Sequence, residues 1–271
     1  MNLFNILADI EQRDAEAYDK FMVSRRKLLK TTAIAATGTT GLLATTLNKA
    51  FAAEGDVVDV LNFALLLEYL EAEFYATALG QSGLIPDSDR MVFMTIGEHE
   101  QQHVAFLKSA LGGNAIAKPT FDFTAGGQFP TVFSNYQTFL TLAQSFEDLG
   151  VRAYKGQAPR LKGVRDVLLA ALRIHSVEAR HAGEVRLIRG LRVWASEQET
   201  GGAPAAVYAG ENELKQWVTI DLPPLVAPKL IQQAGDVGMT VERTIREAYD
   251  EPLTKEQVLA IAGPFVRTMA P

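Results

Sequence analysis

Residues 97–106 read GEHEQQHVAF. Two glutamates and two histidines fall within six consecutive positions of a chain that has only four histidines. Glu100 and His103 form a Glu-x-x-His motif. Side chains three apart on a helix project from the same side, one turn along, so both can reach one metal ion. A single copy is a weak signal, because glutamate is common enough here to precede a histidine by chance.

A second copy changes its weight. Glu178-Ala-Arg-His181 repeats the motif further along the chain. Glu68 precedes Tyr75 in EYLEAEFY by the same interval as Glu147 precedes Tyr154 in EDLGVRAY. The step from Glu68 to Glu147 matches the step from Glu100 to Glu178 to within one position. The anchors run Glu, Glu-x-x-His, Glu, Glu-x-x-His. Each falls in a segment of helical period. Apolar residues at 57, 61, 64, 65, 72, 75 and 79 predict a helix over Asp56–Leu79, closed by Gly80. Further helices are predicted over Ser88–Leu111, from Ser134 or Asn135 to Tyr154, and over Val164–Leu191. No run alternates at period two for long enough to predict a sheet. Links of about eight residues join the first helix to the second and the third to the fourth, which favours antiparallel pairs. Gly112–Phe133 is long enough to cross the length of a bundle. The expected fold is all-α: two helical hairpins joined by a long crossover.

The candidate ligands lie on apolar stripes. Glu100 and His103 share a face with Phe93, Ile96, Val104, Leu107 and Leu111, and Glu178 and His181 share one with Val167, Ile174, Val185 and Ile188. Glu68 is in line with Leu61, Ala64 and Tyr75, and Glu147 with Leu140, Ala143, Val151 and Tyr154. Four carboxylates facing one core are prohibitive unless compensated, since each buried charge costs several kcal/mol. Two divalent cations balance them. Carboxylate and imidazole donors suit iron first and manganese next, and zinc is also compatible.

This arrangement resembles the ferritin-like di-iron carboxylate proteins, in which two helices each give one Glu and two each give one Glu-x-x-His. The resemblance covers residues 56–192. LNFALLLEYLEAEFY (61–75) and EPLTKEQVLAIAGPFV (251–266) further resemble the exported ferritin-like proteins grouped with desiccation-related proteins. The resemblance implies a metal set of Glu68, Glu100, His103, Glu147, Glu178 and His181, with O2, peroxide or metal ions as small-molecule partners. It also implies that Tyr75 and Tyr154 hydrogen-bond ligand carboxylates; their other reading is as core aromatics. No catalytic side chain is assigned beyond the ligands. Glu71 lies one turn along from Glu68 on nearly the same face and competes for its role, though the Glu-to-Tyr repeat favours Glu68. Glu73 is expected to face solvent. His99 offers a further ligand or a contact behind one, but its repeat counterpart is Val177, which favours packing or exposure. His175 also lacks a matching histidine and reads as structural.

The N-terminal region reads as a separate segment. Ser24–Lys30 (SRRKLLK) carries the Arg25-Arg26 pair and resembles a twin-arginine export signal. Thr31–Leu47 is mildly apolar and rich in threonine. It is short and polar for a spanning helix, which needs about 20 predominantly apolar residues. Ala50-Phe51-Ala52 is a small-x-small pattern, placing cleavage after Ala52. The implied partner is the twin-arginine translocase, and the implied location is periplasmic or extracellular, with no membrane attachment after cleavage. The acidic prefix before Ser24 leaves Met1 and Met22 both open as the start. Removing the leader's seven basic and five acidic residues leaves 19 basic and 27 acidic, a net of −8.

The whole chain carries −6, which argues against non-specific nucleic-acid binding. The absence of cysteine excludes disulfides, thiolate metal sites and a cysteine nucleophile. The expected organisation is a leader over 1–52, a bundle over 53–192, and an extension over 193–271. The extension holds breakers (ETGGAPAA, DLPPLVAP), then helices near Val241–Tyr249 and from Thr254, where TKEQ is a capping box, to Gly263-Pro264. It is too apolar to be a free linker and is expected to pack on the bundle. Two functions fit. One is a redox enzyme of ferroxidase, peroxidase or catalase type. The other is a non-catalytic exported stress protein with a structural or vestigial metal site. Closed-shell iron storage is disfavoured by the long extension. A homo-oligomer is left open.

Overall fold

The computed structural model describes residues 55–195, 200–211 and 250–268. The leader residues Arg25, Arg26, Ala50 and Ala52, and the helix expected near Val241–Tyr249, lie outside these. Helix α1 (Gly55–Gly80) turns through residues 81–86 into α2 (Asp87–Leu111). The crossover passes through a short strand β1 (Thr120–Phe121) before α3 (Tyr136–Gln157) and α4 (Arg165–Ile188). Beyond the bundle come α5 (Lys255–Ala262) and strand β2 (Val266–Thr268).

Local chemistry sets the helix ends. Asn135 caps α3, its side-chain oxygen accepting from Thr138 N at 3.0 Å. Thr254 and Gln257 form a complete capping box at α5. Helix α3 continues past Tyr154 to Gln157, giving way to a 3-10 turn at Ala158–Leu161 that begins around Pro159. Helix α4 stops at Ile188, short of the expected Leu191. Gly190 sits at φ 69, and Leu191 N turns back to Arg186 O at 2.9 Å.

Burial separates the helices into two kinds. Helix α1 is buried on every side from Phe63 to Glu71, and α3 from Leu142 to Tyr154, whereas α2 and α4 keep exposed outer faces. The covering comes from the crossover and the extension. Phe74 of α1 sits among Phe123 and Phe133 of the crossover and Phe139 and Phe146 of α3, with centroids 5.0–5.7 Å away. Phe265 packs on Phe146 at 5.0 Å. Strands β1 and β2 pair antiparallel, fastening crossover to extension. They are two and three residues long, so no alternation in sequence could announce them. Glu73 faces outward and pairs with Lys118 at 2.6 Å.

The outer face of α3 is polar yet buried. Gln144, Asp148 and Arg152 recur every four residues and form one stripe, each at most 4% exposed. Arg152 ion-pairs with Glu211 at 2.7 Å and donates to the carbonyls of Glu251, Val207 and Ala209. Arg186 of α4 and Tyr208 both bind Asp148, each at 2.6 Å, and Gln144 donates to Tyr208 Oη and Thr200 O. Charges removed from water survive only when paired and hydrogen-bonded, and this network satisfies that condition. One turn further along α3, Gly156 lets the extension's backbone lie directly on the helix, with Leu253 N bonding Arg152 O at 3.2 Å.

A Cβ on Gly156 would stand 1.8 Å from Leu253 O, a clash with backbone. Gly156→Ala is therefore expected to lower stability by about 3 kcal/mol and to expose residues near 253 to protease. Gly163→Ala, with open space around it, is expected to change stability by less than about 0.5 kcal/mol. Urea unfolding and limited proteolysis check both.

Candidate metal centre

The antiparallel hairpins bring one anchor from each helix to the middle of the bundle. Glu68, Glu100, Glu147 and Glu178 are fully buried, with His103 and His181 8% and 5% exposed. The six side chains form two overlapping groups. Glu68, Glu100, His103 and Glu178 make one, and Glu100, Glu147, Glu178 and His181 the other. Within each group the donor atoms lie within 4.8 Å of one another. Donors around a cation at about 2.1 Å stand up to about 4 Å apart, so the spacing suits one ion per group. Glu100 and Glu178 belong to both groups and lie between them.

The tyrosines reach across the bundle reciprocally. Tyr75 of α1 donates to Glu147 Oε1 of α3 at 2.5 Å, and Tyr154 of α3 donates to Glu68 Oε1 of α1. Both rings are buried. Each terminal glutamate thus has one oxygen held and the other turned to the cluster. His103 Nδ1 lies 3.1 Å from Glu68 Oε2 and 3.0 Å from Glu100 Oε2. His181 Nδ1 lies 2.8 Å from Glu100 Oε1 and 3.3 Å from Glu147 Oε2.

His103 hydrogen-bonds Glu68 and Glu100, but not every close approach here is a hydrogen bond. His181 Nδ1, Glu100 Oε1, Glu147 Oε2 and both oxygens of Glu178 are buried without an aligned hydrogen bond. Buried polar atoms are nearly always satisfied, so this many orphans in one place need an explanation. Their lone pairs converge on common points instead of on each other's protons, as donors around cations do. The residues present fit two metal ions.

Without metal, protons must do the balancing. Burial opposes charge on His103, but the Glu100, Glu178 and Glu68 carboxylates around it outweigh that and hold the imidazole charged well beyond its usual range. Burial likewise opposes charge on His181, and the Glu147 and Glu100 carboxylates lift it to about 11. Burial pushes Glu68 up to about 7, against the pull of His103. Burial, with the Glu100 and Glu68 carboxylates, takes Glu178 well above the carboxylate range. Glu100 is the exception. Burial raises it, but the hydrogen bond with His103 and the close His181 imidazole bring it down to about 2.

Glu71 adds a fifth buried carboxylate and belongs to neither donor group. Burial, then the Glu178 and Glu147 carboxylates, raise its pKa well above normal. Its repeat counterpart is Gly150, and the pairing is spatial as well. A Cβ on Gly150 would stand 2.7 Å from Glu178 Oε2 and 3.3 Å from Glu71 Oε1. The glycine leaves the room that these two carboxylates occupy. Gly97 similarly lets α2 close on α1, its hypothetical Cβ lying 3.1 Å from Tyr75 Cβ. Neither glycine stood out in sequence, although setting the two halves in register aligns Gly150 with Glu71. His99 neither packs in isolation nor simply faces solvent: its Nδ1 is 2.9 Å from His181 Nε2. His175 is half-buried with Nδ1 unpaired, away from both donor groups.

A bundle of two hairpins, with two glutamates and two Glu-x-x-His pairs gathered in its core, defines the ferritin-like class of carboxylate proteins. Residues 56–191, just over half of the chain, match the family model described as Ferritin-like domain, and the protein belongs to that family. No curated protein matches it.

Metal binding must displace the protons on Glu68, Glu178 and the two imidazoles, so affinity is expected to rise with pH. Groups raised in the folded metal-free protein stabilise it below their unfolded values, and that contribution fades as pH climbs through about 7 for Glu68 and about 11 for His181. Metal-free stability is therefore expected to fall from pH 6 to 8, while the increase in Tm on adding metal grows. Thermal unfolding with and without chelator measures this. Gly150→Ala is expected to reduce metal content by displacing Glu178, with metal-free stability held or improved by up to about 1 kcal/mol of helix propensity. Metal analysis alongside thermal unfolding separates the two effects.

Proposed function

We propose that this is an exported ferritin-like protein whose buried carboxylate–histidine centre binds two iron or manganese ions and performs redox chemistry on O2, peroxide or ferrous iron in stress protection. The observation that carries this reading is the convergence of buried donor atoms from all four helices in two overlapping groups, with atoms of Glu100, Glu147, Glu178 and His181 left without hydrogen bonds. When bound, a carboxylate-bridged pair of such metals supplies oxidation-state cycling to small oxidants.

The chain's own residues support that chemistry. Tyr75 and Tyr154 pin one oxygen of Glu147 and of Glu68, orienting the other. Glu100 presents one oxygen to each histidine. Leu61, Phe106, Tyr154 and Ile174 line a cavity of about 10 Å³ beside Tyr154, room for one water-sized molecule. The most exposed member of the six-residue set is His103, at 8%, which supports approach of small molecules from the side of α2.

The Arg25-Arg26 leader motif supports export by the twin-arginine translocase, which carries folded cargo and so allows metal to be acquired in the cytoplasm. The buried network under the extension favours a second reading, in which the fold is kept for stability and the metals serve as a staple. Protein folded in vivo is expected to carry about two metal ions per chain, and the Glu100→Ala, His103→Ala variant to carry none. Loaded protein is expected to consume peroxide or oxidise ferrous iron. Full loading with no turnover, and a Tm that falls on chelation, would establish the staple instead.

A further inference from the structure

The two halves of the centre are related by the sequence repeat, but one histidine has a partner that the other lacks. His181 turns Nδ1 toward Glu100 and Glu147 and Nε2 toward His99 Nδ1, 2.9 Å away. The ring planes are 13° apart with centroids at 5.2 Å, so the rings meet edge to edge through these nitrogens. A neutral imidazole carries one N–H. With His99 accepting at Nε2, the proton of His181 is held there, and the Nδ1 lone pair is left for a cation. His103 has Val177 at the corresponding repeat position, an aliphatic side chain that can neither donate nor accept. Among the described residues no hydrogen bond reaches His103 Nε2, and its side chain is 11% exposed against 6% for His181.

We propose that His99 is a positioning residue for His181 that makes the Glu147–His181 subsite the tighter of the two, filled first, and the Glu68–His103 subsite the exchangeable one. This rests on the two-metal reading. Groups behind a metal-bound histidine fix its tautomer and ring orientation, and losing one typically costs roughly 10–100-fold in metal affinity. The exchangeable subsite is also the one with the more exposed histidine, so it would exchange metal with the surroundings while the other half stays loaded.

The test is a titration of metal-free protein with Mn2+, followed by calorimetry and electron paramagnetic resonance. Wild type is expected to bind in two steps. An isolated Mn2+ signal should appear at one equivalent and a spin-coupled pair at two. His99→Leu is expected to weaken the first step by roughly 10–100-fold and merge the two. His99→Asn, whose side-chain oxygen can accept the same N–H, is expected to recover part of the loss. His103→Ala is expected to remove the second step alone. Unchanged binding in His99→Leu, or loss of the first step in His103→Ala, overturns the proposal. Thermal unfolding of each metal-free variant identifies any that fail to fold, and His99→Asn then decides. Absence of Mn2+ binding in wild type would remove the two-metal reading itself.

Discussion

Five carboxylates in one helical core, four of them converging on the same points, are the constraint around which this protein is organised. Left to themselves they repel at distances where the interior screens poorly. Two arrangements relieve the repulsion. In one, both imidazoles are charged and several carboxylates keep their protons. In the other, two cations replace those protons. The same geometry serves both, because the tyrosines hold Glu68 and Glu147 from behind in either case. The site is thus preorganised by hydrogen bonds from two neutral tyrosines, and its balancing charge is supplied from outside.

Burying the cluster requires α1 and α3 to be enclosed on every side, and four helices alone cannot do this. The crossover supplies phenylalanines around Phe74, and the extension supplies a polar cover matched to Gln144, Asp148 and Arg152. Helix α3 consequently carries two polar faces, with Glu147 and Asp148 about 100° apart around it. One face meets the centre and the other meets the extension, and both are dry. The all-round burial that is common in large apolar helices is reached here by pairing charges with a specific partner segment.

Much of this was legible in the residues. The four helices, the two hairpins and the order of the anchors follow from period and spacing, because local contacts dominate a bundle. The convergence of Glu68, Glu100, His103, Glu147, Glu178 and His181 was readable because a repeat made chance coincidence improbable. The covering network was not. A stripe of Gln144, Asp148 and Arg152 has the pattern of a solvated helix face, and only the tertiary position of Tyr208 and Glu211 makes it interior. The β1–β2 pair is too short to leave a pattern. His99 was judged by its lack of a repeat counterpart, yet that asymmetry is what gives it a distinct partner in His181.

The cover has a consequence for how the chain reaches its native state. The helical hairpins form from neighbours close in sequence. The cover instead depends on long-range pairs, such as Lys255 with Asp59 and Arg267 with Asp122, separated by 196 and 145 residues. Contacts of that span close slowly, because a long loop must be ordered before they are made. Assembly is therefore expected to have a fast stage, which builds the bundle, and a slow one, which seals it. Until the seal closes, the flank of α3 beside the carboxylates would stay wet, and ions and protons would reach the cluster most freely before the fold is finished.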